Sequence, residues 1–236
     1  MLIVQMVNVS KVYENGVAAL EDISVNIKRG EFVFLIGQSG AGKTTFIKLL
    51  FREELPTTGQ IFVGGRSIQR LSRKEISVLR RNIGVVFQDF KLLADQSVFD
   101  NVAFAMIVTG CSREEIELRV PEVLELVGLG QKMHAMPNQL SGGEQQRVAI
   151  ARAIVNKPMI IIADEPTGNL DPETSWGLMK LFNEINQGGT TILMATHARD
   201  IVDVMKKRVL TLENGRLVRD ETGGGYDETE NNQLLP

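Results

Sequence analysis

The stretch GQSGAGKTT, Gly37 to Thr45, constrains this chain more than any other part of it. Gly37, Gly42, Lys43 and Thr44 satisfy the pattern G-x-x-x-x-G-K-[ST]. That pattern works as the turn between a buried strand and a helix. Its glycines let the backbone curl so that successive N–H groups point inward at phosphate oxygens. The lysine reaches the terminal phosphates, the hydroxyl ligates Mg2+, and the following helix presents its positive end to the anion. Both flanks agree, with the apolar run FVFLI before the loop and the helically spaced TTFIKLLF after it. An α/β core that binds a nucleoside triphosphate is therefore expected, with Gly37, Ser39, Gly40, Ala41, Gly42, Lys43, Thr44 and Thr45 around the phosphates.

Elsewhere the texture changes twice. LIVQMVNV, ISVNI, EFVFLIG, GQIFVGG and IGVVFQ read as strands. From about Ser97 to Val155 the periodicity is helical, and no strand stands out. Strand character returns in PMIIIADEP and TTILMATH, with a helix from about Pro172 to Asn186 between them. RVLTLENGRLVRDE reads as a hairpin turning at Asn214-Gly215. We expect a single domain over 1–236. Its core comprises 1–88 and 156–221, a helical subdomain is inserted at about 89–155, and a mobile polar tail covers about 222–236.

Composition narrows the possible partners. Hydrophobic residues make up 43% of the 236, ample for a core, and the formal charge of −3 leans against a nucleic-acid polyanion. The one cysteine, Cys111, cannot close an internal disulfide, which fits a reducing compartment. The start, MLIVQMVNVSKVYENG, lacks the features of a secretion signal, and no apolar run approaches the ~20 residues that span a bilayer. The expectation is a soluble, cytoplasmic protein whose membrane role, if any, needs a spanning partner.

Three further features bear on chemistry. Asp164 and Glu165 close the apolar run MIIIAD side by side. Next to a phosphate loop, Asp164 is suited to hold Mg2+ with Thr44. Glu165, pointing the other way on an extended strand, is suited to polarise an attacking water. His197 follows another apolar strand and is placed to reach the γ-phosphate or the water, whereas His134 and Trp176 have no such context. The third feature is LSGGEQQR. Ser141 and Glu144 form an S-x-x-E capping box, which starts a helix but leaves Gly142-Gly143 unexplained. Two glycines weaken a first helical turn unless something must approach the backbone closely.

LSGGEQQR also matches the signature motif of the ABC ATPases. The rest of that family's order is present: Tyr13, the phosphate loop, Gln88 in VVFQD, the signature, Asp164-Glu165, GNLD with Asp171, and His197. The resemblance implies a P-loop NTPase core with a mixed sheet, N-terminal antiparallel strands and an inserted α-helical subdomain. It implies a Mg2+-dependent ATPase in which Tyr13 stacks on adenine and Gln88 joins Thr44 and Asp164 around the metal. It also implies a head-to-tail homodimer in the ATP-bound state, where Ser141, Gly142, Gly143, Glu144 and Asp171 of one copy meet the nucleotide of the other. GVVFQDFKLL, ARAIVNKP, NLDPETSWGLMKLFNEIN and the GGGY close resemble the cell-division ATPases of that family. For these the implied partner is a polytopic, FtsX-like membrane protein docking near Gln88 to Leu93. The site of action is the cytoplasmic face of the cell membrane, and the output is a signal to cell-wall hydrolases. An energising subunit of an exporter or of a lipoprotein-release complex shares every catalytic motif. No nucleic-acid partner is expected. Gln38 stands where such loops more often carry Pro, at a side chain that phosphate binding does not use.

Overall fold

A computed structural model describes residues 1–226. Strands β1 (Leu2–Val12), β2 (Ala18–Lys28) and β3 (Phe32–Ile36) lead into α1 (Lys43–Leu50), and then come β4 (Thr58–Val63), β5 (Arg66–Ser67), α2 (Arg73–Arg81) and β6 (Ile83–Val86). The helical stretch holds α3 (Val98–Thr109), α4 (Arg113–Leu126) and α5 (Gly142–Ile154). The chain then runs through β7 (Ile160–Asp164), α6 (Pro172–Gln187), β8 (Thr191–Ala195), α7 (Arg199–Met205), β9 (Arg208–Glu213) and β10 (Arg216–Glu221). One sheet has the order β2-β1-β4-β5 with antiparallel pairing; the other has the order β10-β9-β3-β8-β7-β6, parallel except for β10 on β9. This is the mixed α/β architecture expected from the sequence.

The unbroken apolar strands follow from burial on both faces. Side chains alternate along a strand, so Phe32, Phe34 and Ile36 of β3 feed one apolar layer while Val33 and Leu35 feed the other. Ile161 and Ala163 of β7 divide from Ile160 and Ile162 in the same way. The first layer is covered by α5, α6 and the helical stretch. The second is covered by α1 and the antiparallel sheet. In the β9–β10 hairpin, Asn214 and Gly215 both take positive φ, 48° and 79°, as a type I′ turn requires.

Two helices lie outside the sequence expectations. α2 buries only Leu79 among many charged residues, so it carries no apolar stripe to read. α7 is too short for one. Residues 222–226, expected to begin the tail, fold back on the core. Arg219 Nη1 donates to Gly225 O (2.9 Å) and the Tyr226 amide to Asp203 Oδ1 (2.6 Å). The remainder of the expected tail, 227–236, lies outside the described residues.

The loop that leads into the helical stretch is tied to α3 by a polar knot. Asn101 on α3 is fully buried; its Oδ1 accepts from the Leu93 amide (2.8 Å), and its Nδ2 donates to the carbonyls of Leu93, Gln96 and Ser97 (3.0–3.1 Å). Removing such a group leaves several partly buried backbone groups without their partner. Asn101→Ala is expected to cost about 2–4 kcal/mol, measured by urea denaturation. A loss below about 0.5 kcal/mol, the range of ordinary surface changes, would mean that the loop holds itself.

Candidate functional site

The C-terminal ends of the central parallel strands open on one cleft of about 1220 Å³. From β3 the phosphate loop contributes Gly37, Ser39, Gly40, Gly42, Lys43, Thr44 and Thr45; β6 leads to Gln88, β7 to Asp164 and Glu165, β8 to His197, and Tyr13 follows β1. Ala41 turns away into the apolar core, its amide donating to Gln38 O (3.1 Å), so it shapes the loop without lining the cleft.

The loop is built around backbone conformations that favour glycine. Gly40 has φ 80° with open space where a side chain would stand, and Gly42, which caps α1, has φ 104°. The Lys43 ammonium lies over its own loop and donates to Gly37 O (2.7 Å) and Gln38 O (3.1 Å). Tyr13 Oη is 3.1 Å from Thr45 Oγ1, and Lys11 Nζ sits 4.9 Å from the centroid of the Tyr13 ring.

Across the cleft, burial pushes the Asp164 carboxyl above the usual carboxylate range and the adjacent Glu165 adds to the effect, while Lys43 and Lys48 oppose it. Glu165 departs from expectation. The strand ends at Asp164, and Glu165 takes φ 52° while its amide still donates to Ala195 O (2.9 Å). The left-handed turn, not strand alternation, sets the direction of its carboxylate. That carboxylate contacts His197 Nδ1. Gln88 Nε2 points to Asn169 Oδ1 at 3.4 Å.

The remaining expected residues stand away from this cleft. Ser141 caps α5 in a full capping box, with Oγ accepting from the Glu144 amide (3.3 Å) and Glu144 Oε2 from the Ser141 amide (3.0 Å); Lys132 pairs with Glu144 at 2.6 Å. Asp171 caps α6, and its bonds from Thr174 hold its carboxyl below the usual range. Gly143 now has a packing explanation that the sequence did not offer. A Cβ there would lie 2.3 Å from Thr174 Cγ2, so α5 and α6 meet closely only because it is glycine. Gly142 is exposed, and packing explains less of it. His134 is exposed and outside the cleft, and Trp176 packs against the apolar layer. Sequence reasoning missed Asn169 and Tyr226, both of which line the cleft. Asn169 lay inside a motif already singled out; Tyr226 is brought there by the folded-back segment 222–226, for which no local signal exists.

The donor set fits a magnesium nucleotide. Lys43 has only carbonyl acceptors to give up, and Asp164 stays above the usual carboxylate range although Lys43 and Lys48 ease its ionisation. Among the described residues no group of three or more His, Cys, Asp or Glu is placed to enclose a metal. Few protein ligands with phosphate oxygens completing the shell is how Mg2+ is commonly held.

Comparison with known proteins agrees with this geometry. Residues 20–168 match the family model described as ABC transporter. The cell division ATP-binding protein FtsE of Bacillus subtilis is 58% identical over 223 residues, covering 94% of this chain and 98% of the relative. FtsE of Streptococcus pneumoniae is 54% identical, over 97% of this chain and all of the relative. Among solved structures, a dimeric post-hydrolysis state of the ATP-binding cassette MJ0796 bound to ADP and phosphate superposes with a TM-score of 0.84, at 37% identity over 94% of this chain and 100% of that one.

The raised Asp164 pKa has a consequence for stability. At pH values above it the folded protein holds an ionised carboxylate less readily than the unfolded chain does. The cost vanishes below the ordinary carboxylate range, where both states carry the proton. Nucleotide-free Asp164→Asn is therefore expected to melt above the wild type at pH 7, with the gain shrinking as pH falls toward that range. Scanning calorimetry at several pH values checks this, and coincident curves would contradict it.

Proposed function

The chain belongs to the ABC transporter family, in the branch of the FtsE cell-division ATP-binding proteins, and from that premise we propose that its cleft hydrolyses Mg2+-ATP between two copies paired head to tail. It is an ATP-binding and ATP-hydrolysing subunit of cell division. The observation that carries the paired arrangement is the separation of the two glycine-rich sites. Lys43, Asp164, Glu165 and His197 share one cleft, while the exposed first turn of α5 at Ser141-Gly142 stands outside it. A helix N-terminus with a hydroxyl and free amides suits a phosphate, and the phosphate it meets is the one bound by the other copy.

Each residue has a part in this reading. Tyr13 stacks on adenine. The amides of the phosphate loop, from Ser39 to Thr45, hold the β-phosphate side, and Lys43 exchanges its loop carbonyls for phosphate oxygens. Thr44, Asp164 and Gln88 hold Mg2+, which when bound neutralises charge on the phosphate oxygens. Glu165 takes the proton of the water that attacks the γ-phosphorus, and the ADP oxygen leaves from the opposite side. His197 orients Glu165 through the contact already present and hydrogen-bonds the γ-phosphate. Ser141, Gly142, Gly143, Glu144 and Asp171 complete the site of the other copy. The left-handed backbone of Glu165 is the kind of strain, about 1–3 kcal/mol, that folded proteins keep at functional positions.

The membrane side follows from the same premise. Among the described residues no helix is long and apolar enough to cross a membrane, so attachment to the cytoplasmic face runs through a partner. We assign that role to an FtsX-like polytopic protein seated near Gln88 to Leu93, with ATP turnover signalling to cell-wall hydrolases. The core at 1–88 and 156–221 then works against the helical subdomain at 89–155.

Glu165→Gln is expected to bind ATP, lose about a hundredfold or more in turnover, and accumulate as an ATP-dependent dimer in light scattering. Ser141→Arg in that background is expected to remain monomeric with ATP affinity intact. A Glu165→Gln protein that stays monomeric at saturating ATP would exclude the paired arrangement. Gentle crosslinking of the tagged chain in its own cells is expected to recover a polytopic protein with one large external loop, enriched at division sites. Recovery of a permease or a lipoprotein-release complex would leave the chemistry in place and replace the division signal with transport or release.

A further inference from the structure

Gln88 has to be held in place by something, and the two residues that follow it closely are in an unfavourable conformation. Phe90 and Lys91 are consecutive non-glycine residues with φ of 58° and 50°, a left-handed pair that persists only where its surroundings enforce it. The enforcing group is on α5. Arg152 Nη1 donates to Lys91 O at 2.6 Å, and Nη2 donates to Phe90 O at 2.7 Å. A planar guanidinium fork can grip two adjacent carbonyls at once. No carboxylate among the described residues shifts Arg152; burial alone acts on it, and lowers its pKa. A half-buried cation without a counter-ion is an expensive way to fill space, and its hydrogen bonds are committed to these two carbonyls.

The same helix touches this segment at two further levels. Gln146, fully buried, donates from Nε2 to Phe87 O (3.3 Å) and to Pro166 O (2.8 Å), joining the Gln88 segment to the turn that follows Glu165. At the first turn, the position a Cβ would take on Gly142 lies 3.9 Å from Phe90 Cζ. Gln88 is thus bracketed by Phe87 O, held by Gln146, and by Phe90 O, held by Arg152. Any shift of α5 is passed to it through the backbone.

We propose that Arg152 is a positioning residue for ATP hydrolysis, which locks Phe90 and Lys91 in their left-handed conformation and so fixes Gln88 relative to the glycine turn at Gly142. The helix that presents the signature to the other copy then also sets the position of Gln88 in its own cleft. Closure on one nucleotide is communicated to the other within a single chain. This rests on the assignment of Gln88 to hydrolysis, so Gln88→Ala is measured alongside.

Arg152→Lys is the informative variant, because it keeps charge and approximate length but replaces the fork with a single ammonium. In the full-length protein, kcat is expected to fall about tenfold while the Kd for a fluorescent ATP analogue stays within about twofold. Nucleotide-free amide exchange is expected to speed up at residues 89–93 and to stay unchanged along α5 and α6. Turnover within about twofold of wild type, or unchanged exchange at 89–93, overturns the role. Loss of affinity and turnover together, with faster exchange throughout α5, reduces Arg152 to a fold-stabilising residue and overturns it equally. If Arg152→Lys yields no folded protein, Arg152→Gln, with one planar amide, is read by the same criteria. Turnover lost in Gln88→Ala but kept in Arg152→Lys sinks the Arg152 role alone; turnover kept in Gln88→Ala sinks the Gln88 assignment beneath it.

Discussion

The parallel register of β3, β8 and β7 is the constraint on which the cleft depends. Leu35 pairs with Ala195, and Ala195 pairs with Asp164, so the three strands finish at one level. The phosphate loop leaves β3 just beyond Ile36, His197 lies just beyond β8, and Asp164 closes β7. A slip of one residue in any of these pairings would exchange the apolar layers on both faces of the sheet. Because Val33, Leu35, Ile160, Ile162, Leu193 and Ala195 are all fully buried on one side, such a slip would force both close-packed layers to repack. The level at which the three strands finish is thus set by the core.

That register brings together charges that do not favour one another in the absence of ligand. Asp164 and Glu165 are neighbours in sequence and in space, Asp164 is raised by burial, and Lys43 is turned back on its own carbonyls. A free cleft of this kind lowers stability, and the ligand that belongs there restores it. The left-handed Glu165, held by Ala195 O on one side and His197 on the other, adds backbone strain to the same region. These are the features that make the site read as functional before any comparison is made.

How much was legible in the sequence depended on whether the determining physics was local. The phosphate loop declares itself because glycine, lysine and threonine must stand at fixed offsets, and the apolar strands declare themselves because burial on both faces leaves no polar positions. The Asn214-Gly215 turn is local too, and it formed as read. α2 escaped notice because charged residues dominate it, and α7 because it is short. Glu165 was placed on an extended strand from its neighbours alone, whereas its backbone turns left-handed just past the end of β7. The sequence offered no packing reason for Gly143; Thr174, on a separate helix, supplies one. The grip of Arg152 on Lys91 and Phe90 spans 61 and 62 residues of sequence, and nothing in RVAIARA announces it.

Helix α5 touches several of these parts of the molecule. Its first turn carries the capping box and the exposed Gly142, its middle joins Phe87 to Pro166 through Gln146, and Arg152 near its end holds the segment after Gln88. It packs at once on α3 and on β6, so it belongs to the helical stretch and to the core together. A helix is stiff along its axis, and its hydrogen bonds to two loops at its side leave those loops little independent freedom. If the first turn is seated on a phosphate held by another copy, the displacement cannot be absorbed at Gly142 alone; it must appear at Gln88 and at the turn after Glu165. On the paired arrangement proposed above, one element would couple the nucleotide a copy covers to the nucleotide it holds.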